Sequence, residues 1–137
     1  MPDSVVLDSS VIAAIFLFRD DEDNAAENAI TNKRLITLDL SMAEVGNVAW
    51  KRVVHFQEDK EMMQTALRNC LGFISEACVI IKALDLADEA YNIAVEDKIA
   101  FYDSLFLAAA KREQVPLLTM DKKPYEKSKG NRDVLLV

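Results

Sequence analysis

With 137 residues, 51% of them hydrophobic, the chain has the length and apolar content for one domain over 1–137 with a buried core, and no apolar run approaches the ~20 residues that cross a bilayer. A net charge of −7 argues against bulk electrostatic capture of nucleic acid, and Met-Pro-Asp is not a signal-peptide start. The two cysteines, Cys70 and Cys78, lack metal-ligand spacing and suit buried thiols in a reducing compartment, so a cytoplasmic protein without a membrane segment is expected.

Val5, Val6 and Leu7 form a short apolar run closed by Asp8, the pattern of a buried parallel strand. Ser9 or Ser10 is then placed to cap a helix over 10–18. The acidic run 20–23 falls where the dipole of the next helix favours it, and that helix reaches about Lys33. Residues 35–40 read as a short strand or an extended entry to the next helix. Ser41-x-x-Glu44 reads as a capping box opening a helix to about Val54, with Met42, Val45, Ala49 and Val53 at helical spacing. A longer helix over 57–76 carries Met63, Leu67, Cys70 and Ile74 on one stripe. Cys78–Ile81 is a β-branched strand, and 86–95 an amphipathic helix. The helix over 102–112 is almost wholly apolar beyond its first turn, which predicts a central position. Strands follow at 115–120 and, as an edge, at 133–137. Between them, 122–132 sets Lys122, Lys123, Lys127, Lys129 and Arg132 against Glu126, a net +4. That stretch reads as a solvated surface loop, or as a segment that holds a phosphate backbone.

Strands alternating with helices predict an α/β fold, a three-layer α/β/α domain around a mostly parallel central sheet. Ligands of such sheets collect beyond the carboxyl ends of the strands. Asp8 and Asp121 directly follow strands, and Glu44 and Asp103 fall in first turns of helices, so four acids distant in sequence are expected at one edge. Each also has a local explanation. Asp8 suits an N-cap, Glu44 the capping-box partner of Ser41, Asp103 a first turn and Asp121 a turn. Three of them, however, adjoin apolar sequence: Val-Val-Leu before Asp8, Leu-Phe-Leu after Asp103, Leu-Leu-Thr-Met before Asp121. A carboxylate buried there without a partner is expensive.

Four carboxylates in one pocket repel one another unless a cation joins them, and oxygen donors in this number suit Mg2+ or Mn2+ rather than zinc. On that reading Asp8 and Asp103 are the main ligands, and Glu44 and Asp121 complete the shell. Glu44 is the least secure, because its capping box would form without any metal. Ser10, Ser104 and Thr119 lie one or two residues from the acids, either orienting them or serving as capping and core hydroxyls. The remaining acids, Asp39, Asp85 and Asp97 among them, read as capping or surface groups. His55 is the only histidine and sits beside Lys51 and Arg52, which disfavours a Ser-His pair, and Gly46, Gly72 and Gly130 are too isolated for a phosphate loop.

The segments VVLDSSVI, MAEVGNVAWK, FYDSLFLAAA and LLTMDKK, in this order across the whole chain, resemble the four signature segments of PIN-domain nucleases, above all the VapC-type toxins of toxin–antitoxin pairs. The resemblance places the family's four acids, as catalytic and metal-binding residues, at Asp8, Glu44, Asp103 and Asp121. It matches Asn47 and Thr119 to polar positions of the second and fourth segments. It implies a PIN-like fold and a Mg2+- or Mn2+-dependent endoribonuclease that hydrolyses RNA phosphodiester bonds. It also implies a homodimer held inactive by a cognate antitoxin protein whose tail lies across the groove. Gly46, early in a helix, and the heavy acidic run at 20–23 depart from the pattern. Two rivals remain open: a non-catalytic PIN-like module whose acidic groove binds a basic peptide, and a metal-dependent phosphatase of small molecules. The helices bearing Trp50, Phe56 and Phe73 suit either a dimer contact or core packing.

Overall fold

In a computed structural model, residues 3–18 and 25–137 are described; the acidic run 20–23 and its place in a helix lie outside the described residues. The chain passes through β1 (Ser4–Leu7), α1 (Ser9–Phe16), α2 (Ala25–Ile30), β2 (Arg34–Leu38), α3 (Leu40–Val54), α4 (Lys60–Ala77) and β3 (Cys78–Ile81). After a short 3-10 turn (Ala83–Leu86) come α5 (Ala87–Asp97), α6 (Phe101–Glu113), β4 (Leu117–Thr119), α7 (Lys122–Ser128) and β5 (Val134–Leu136). The five strands form one sheet in the order β3-β2-β1-β4-β5, and every pairing is parallel.

Side chains alternate across a strand, so Val5, Leu7, Leu35 and Leu118 enter one apolar cluster while Val6, Ile36, Leu38 and Leu117 enter another. Both faces are apolar because helices cover both, as parallel strands require. Val11 and Ile12 of α1, Val45 and Ala49 of α3, and Met63, Cys70 and Ile74 of α4 close the first face. Leu86, Ala90 and Ile93 close the second together with α6. Every residue of α6 from Ser104 to Ala110 is buried, which explains why its sequence has no polar stripe. The expected three-layer α/β/α architecture is present, with a sheet that is parallel throughout.

Several boundaries moved for local reasons. Asp59 caps α4 by accepting from the Met62 N–H at 2.8 Å, so that helix begins at Lys60 rather than 57. The helix α6 ends where Gln114 adopts φ 57, and Pro116 cannot donate to a ladder, which shortens the following strand to Leu117–Thr119. The basic stretch expected as a loop is mostly helix α7, capped by Asp121 and carrying Pro124 in its first turn, where proline is tolerated.

Asp97, expected at the surface, has a side chain only 1% exposed and pairs with Arg132 at 3.2 Å while Ser128 donates to it at 2.7 Å. Phe73 is half-buried against Phe16 at 5.3 Å between ring centroids, whereas Trp50 and Phe56 are exposed, so core packing accounts for Phe73 alone. Burial pushes the Cys70 thiol up to about 12 and the Cys78 thiol up to about 11, consistent with inert free thiols. Among the described residues no helix is long and apolar enough to cross a membrane.

The strand order places the site. From β1 the chain steps outward through β2 to β3, then returns to add β4 and β5 on the other side. The order therefore reverses between β1 and β4, and a crevice opens there beyond their carboxyl ends.

Candidate metal-binding cleft

Asp8 stands at the end of β1 and is itself the N-cap of α1, so of the three candidates for that role, Asp8, Ser9 and Ser10, it is the acid that fills it. Its Oδ1 accepts from the backbone N–H of Ser10 at 3.0 Å and of Val11 at 3.3 Å, and also from the Ser10 hydroxyl. Burial pushes its carboxyl up from 3.8 to about 6, against the opposing pull of those donors and of Thr119. The Ser10 hydroxyl also accepts from the Met120 N–H at 2.9 Å, and Thr119 Oγ1 accepts from the Asp121 N–H at 3.0 Å. Ser10 and Thr119, 3.5 Å apart, thus join the start of α1 to the end of β4 and fix Asp8 relative to Asp121.

The expected capping box at Glu44 does not form. The helix α3 begins at Leu40, and Ser41 is buried inside it, its Oγ 2.7 Å from Thr37 Oγ1 at the end of β2. Asp39, at the cap position, accepts instead from the Ala83 N–H at 2.9 Å. Freed from Ser41, Glu44 accepts from the Ser9 hydroxyl at 2.6 Å. Burial raises the Glu44 carboxyl and the Ser9 bond opposes the rise. The local explanation that ranked Glu44 last is therefore absent.

Asp103 follows the turn between α5 and α6, not a strand. It reaches the same edge because α6 runs back to deliver the chain to the start of β4. Its carboxyl is pushed up to about 6, first by burial and then by the negative charges of Asp121, Asp8 and Glu44, with Lys123 opposing. Asp121 caps α7 through a 3.2 Å bond from the Lys123 N–H and is exposed.

All four acids line one cleft of about 1230 Å³. Its floor lies at the switch point, and an apolar arm runs past Ala14, Phe16, Phe18, Ala26 and Val48. Among the described residues no three acidic, histidine or cysteine groups close into an ion cage. The donor chemistry still suits a hard divalent cation: four carboxylates on one cleft, with no lysine or arginine side chain bonded to any of them among the described residues. Asn47 lines the cleft too, whereas Ser104 donates back to the Ala100 carbonyl at 3.1 Å and is a helix-internal hydroxyl.

Three features escaped the sequence. Ser9 holds Glu44 from 35 positions away, a link no local pattern encodes. The basic stretch is largely engaged elsewhere: Lys129 with Glu126, Arg132 with Asp97 and Glu96, and Lys127 with the Lys98 carbonyl. Of its five cations, Lys122 and Lys123 have neither an ion pair nor a side-chain hydrogen bond among the described residues, and Lys123 is the one felt at Asp103. Tyr102, beside Asp103, also lines the cleft. Removing the Ser9 hydroxyl should loosen Glu44 without disturbing the core. Ser9→Ala is expected to weaken Mn2+ binding about tenfold, by analogy with other residues that orient metal ligands, with melting temperature nearly unchanged. Calorimetric titration with Mn2+ checks this, and an unaltered affinity would remove Ser9 from the site.

A family model described as the PIN domain matches residues 5–130. Ribonuclease VapC3 of Pyrobaculum aerophilum is 27% identical over 124 residues, covering 90% of this chain and 93% of that protein. The crystal structure of PAE2754 from Pyrobaculum aerophilum has a TM-score of 0.71 at 24% identity, over 96% of this chain and 83% of that one. VapC20 of Mycobacterium tuberculosis, described as a Sarcin-Ricin loop cleaving toxin, has a TM-score of 0.69 at 17% identity, over 90% and 95%. VapBC2 of Rickettsia felis, solved with promoter DNA, has a TM-score of 0.64 at 19% identity, over 98% of each chain. These structures share the fold, and with the family match running from β1 through α7 the chain belongs to the PIN domain family.

Proposed function

We propose that this chain is a divalent-cation-dependent endoribonuclease, the toxin of a toxin–antitoxin pair, that hydrolyses RNA phosphodiester bonds. The observation that carries this reading is the convergence of Asp8, Glu44, Asp103 and Asp121 on one cleft at the sheet's switch point, where burial first and then the other three acids raise the Asp103 carboxyl. Such a concentration of negative charge beside a lysine suits a site that would take a divalent cation and a phosphate. Asp8, Glu44, Asp103 and Asp121 are the groups that would hold Mg2+ or Mn2+. When bound, the cation would supply an activated water and neutralise charge building on the phosphate.

The chain's own groups do the rest. Ser10 and the amides of the first turn of α1 hold Asp8, Ser9 holds Glu44, and the α7 cap holds Asp121. Lys123, with Lys122 beside it, draws the RNA backbone to the acids without reading sequence. Related structures are described as a toxin–antitoxin complex from Klebsiella pneumoniae and as VapBC-1 from nontypeable Haemophilus influenzae. By that analogy the partner is an antitoxin protein, for which the apolar arm of the cleft offers a seat. The exposed Trp50 and Phe56 suit a homodimer contact, and the protein acts in the cytoplasm.

The test is RNA cleavage by protein purified free of any partner, with Mn2+ or Mg2+, beside an Asp8→Asn variant. Cleavage by the parent, abolished by EDTA and absent from the variant, is expected. Intact RNA under both metals, with parent equal to variant, would reject the nuclease and leave a peptide-binding module as the reading.

A further inference from the structure

The cleft poses a problem of affinity. Its floor carries four acids, the chain is at −7, and three of the five cations nearest in sequence are bonded elsewhere. Phosphate contacts normally supply much of the affinity of a nucleic-acid-binding protein, each neutralised phosphate adding a salt-dependent increment. Two lysines beside four carboxylates give little of it. A different contribution has to hold an RNA strand in place, and the chemistry available for single strands is base stacking on aromatic rings.

Tyr102 has the properties of such a platform. It lies in the first turn of α6, immediately before Asp103, and it lines the same cleft. The residue is 61% exposed, although α6 buries every residue from Ser104 to Ala110. Its ring takes part in no aromatic pair or cation–π contact, and its hydroxyl bonds to nothing among the described residues. An amphipathic ring left idle in water contributes little to the fold, and its position one residue from the acid at the centre of the cluster sets it within a nucleotide's reach of a phosphate held there.

We propose that Tyr102 is a base-contacting residue: its ring stacks against the base of a nucleotide flanking the scissile phosphate. This rests on the nuclease reading above. Stacking tolerates any base, so Tyr102 sets affinity and register while leaving sequence choice to other groups. It also requires that base to be unstacked from its neighbours, so the bound strand is unpaired at that point.

The experiment compares the parent, Tyr102→Ala and Tyr102→Phe on a single-stranded RNA substituted at successive positions with 2-aminopurine. Steady-state cleavage with Mn2+ is measured on each. Binding fluorescence is measured in an Asp8→Asn background, which prevents turnover. Tyr102→Ala is expected to raise KM by about tenfold or more with kcat little changed, and Tyr102→Phe to stay near the parent. In the binding measurement one 2-aminopurine position should be quenched by the Asp8→Asn protein and by its Tyr102→Phe double variant, and recover with Tyr102→Ala. Because the Tyr102 side chain is exposed, Tyr102→Ala and Tyr102→Phe should melt with the protein they were made from, in either background. If the parent cleaves and Tyr102→Ala shows the parent's KM and quenching, the stacking inference is overturned and the nuclease reading stands. If the parent cleaves nothing under either metal, both fall.

Discussion

Asp103→Asn is expected to abolish RNA cleavage while making the metal-free protein harder to melt. The loss of activity should be on the order of a thousandfold, because under the proposed function a cation would be held by three acids rather than four and would surrender several kcal/mol of charge stabilisation. The gain in stability comes from the same charges. Asp103 is raised to about 6 by burial and by Asp121, Asp8 and Glu44, and Asp8 is raised to about 6 by burial. A carboxyl that binds its proton more tightly in the fold than in the unfolded chain, where it titrates near 3.8, favours the fold at low pH. That contribution is fully present below the unfolded value and is lost as pH rises through about 6. At neutral pH the metal-free parent therefore carries the cost of a buried charge and, after it, repulsion by the other acids, both of which asparagine removes.

Asp103 is partly open to solvent, so screening reduces the gain to about 1 kcal/mol, or roughly 3 °C or more in melting temperature at pH 7.5. The parent should show a comparable rise on acidification from pH 7 to 5, and Asp103→Asn a smaller one. Thermal melts at both pH values, without metal, check this. If the variant melts below the parent at pH 7.5, the acids are held by something other than mutual tolerance of charge.

That link between site and stability is partly written in the sequence. Asp8 and Asp121 are legible because each ends an apolar run, and a parallel sheet gathers strand ends at one edge. Asp103 is legible as an acid against apolar sequence, but its route to the site is not, since α6 follows a helix and arrives from the opposite direction. Glu44 misled in a different way. Ser41-x-x-Glu44 has the residues of a capping box, yet Thr37 takes the Ser41 hydroxyl and Ser9 takes Glu44. The Ser9 bond comes from 35 positions away, and the Thr37 bond, only four positions back, joins the end of β2 to α3, a junction that a capping-box pattern does not register. The helix α7 was hidden for a related reason. Its seven residues hold too few apolar side chains to show a period, and what starts it is the Asp121 cap.

The charges around Arg132 were equally opaque in sequence, and they carry the second large effect. Arg132 donates to both oxygens of Asp97 at 3.2 Å and to Glu96 at 2.7 Å, while Ser128 donates to Asp97 at 2.7 Å. Asp97 closes α5 and is buried; Arg132 follows α7 and has a side chain 15% exposed. Arg132→Met keeps the length of the stem but leaves a buried carboxylate with Ser128 as its remaining side-chain partner. Loss of one member of such a pair costs about 3–5 kcal/mol, most of it from the stranded charge. Glu96 is 68% exposed and should add little. The double variant Asp97→Asn/Arg132→Met strands no charge, so it should recover a good part of the loss, a coupling that urea unfolding of parent, single and double variants measures directly. The pair also fastens the end of α7 to the end of α5, and Lys127 reinforces this by donating to the Lys98 carbonyl at 2.9 Å. Since Asp121 caps α7 and α6 follows shortly after Lys98, the same bond should help to set the spacing of Asp121 and Lys123 from Asp103. Arg132→Met should therefore weaken Mn2+ binding even under conditions where the variant is fully folded. Unchanged urea midpoint and unchanged Mn2+ affinity together would reduce the Arg132–Asp97 pair to a surface contact.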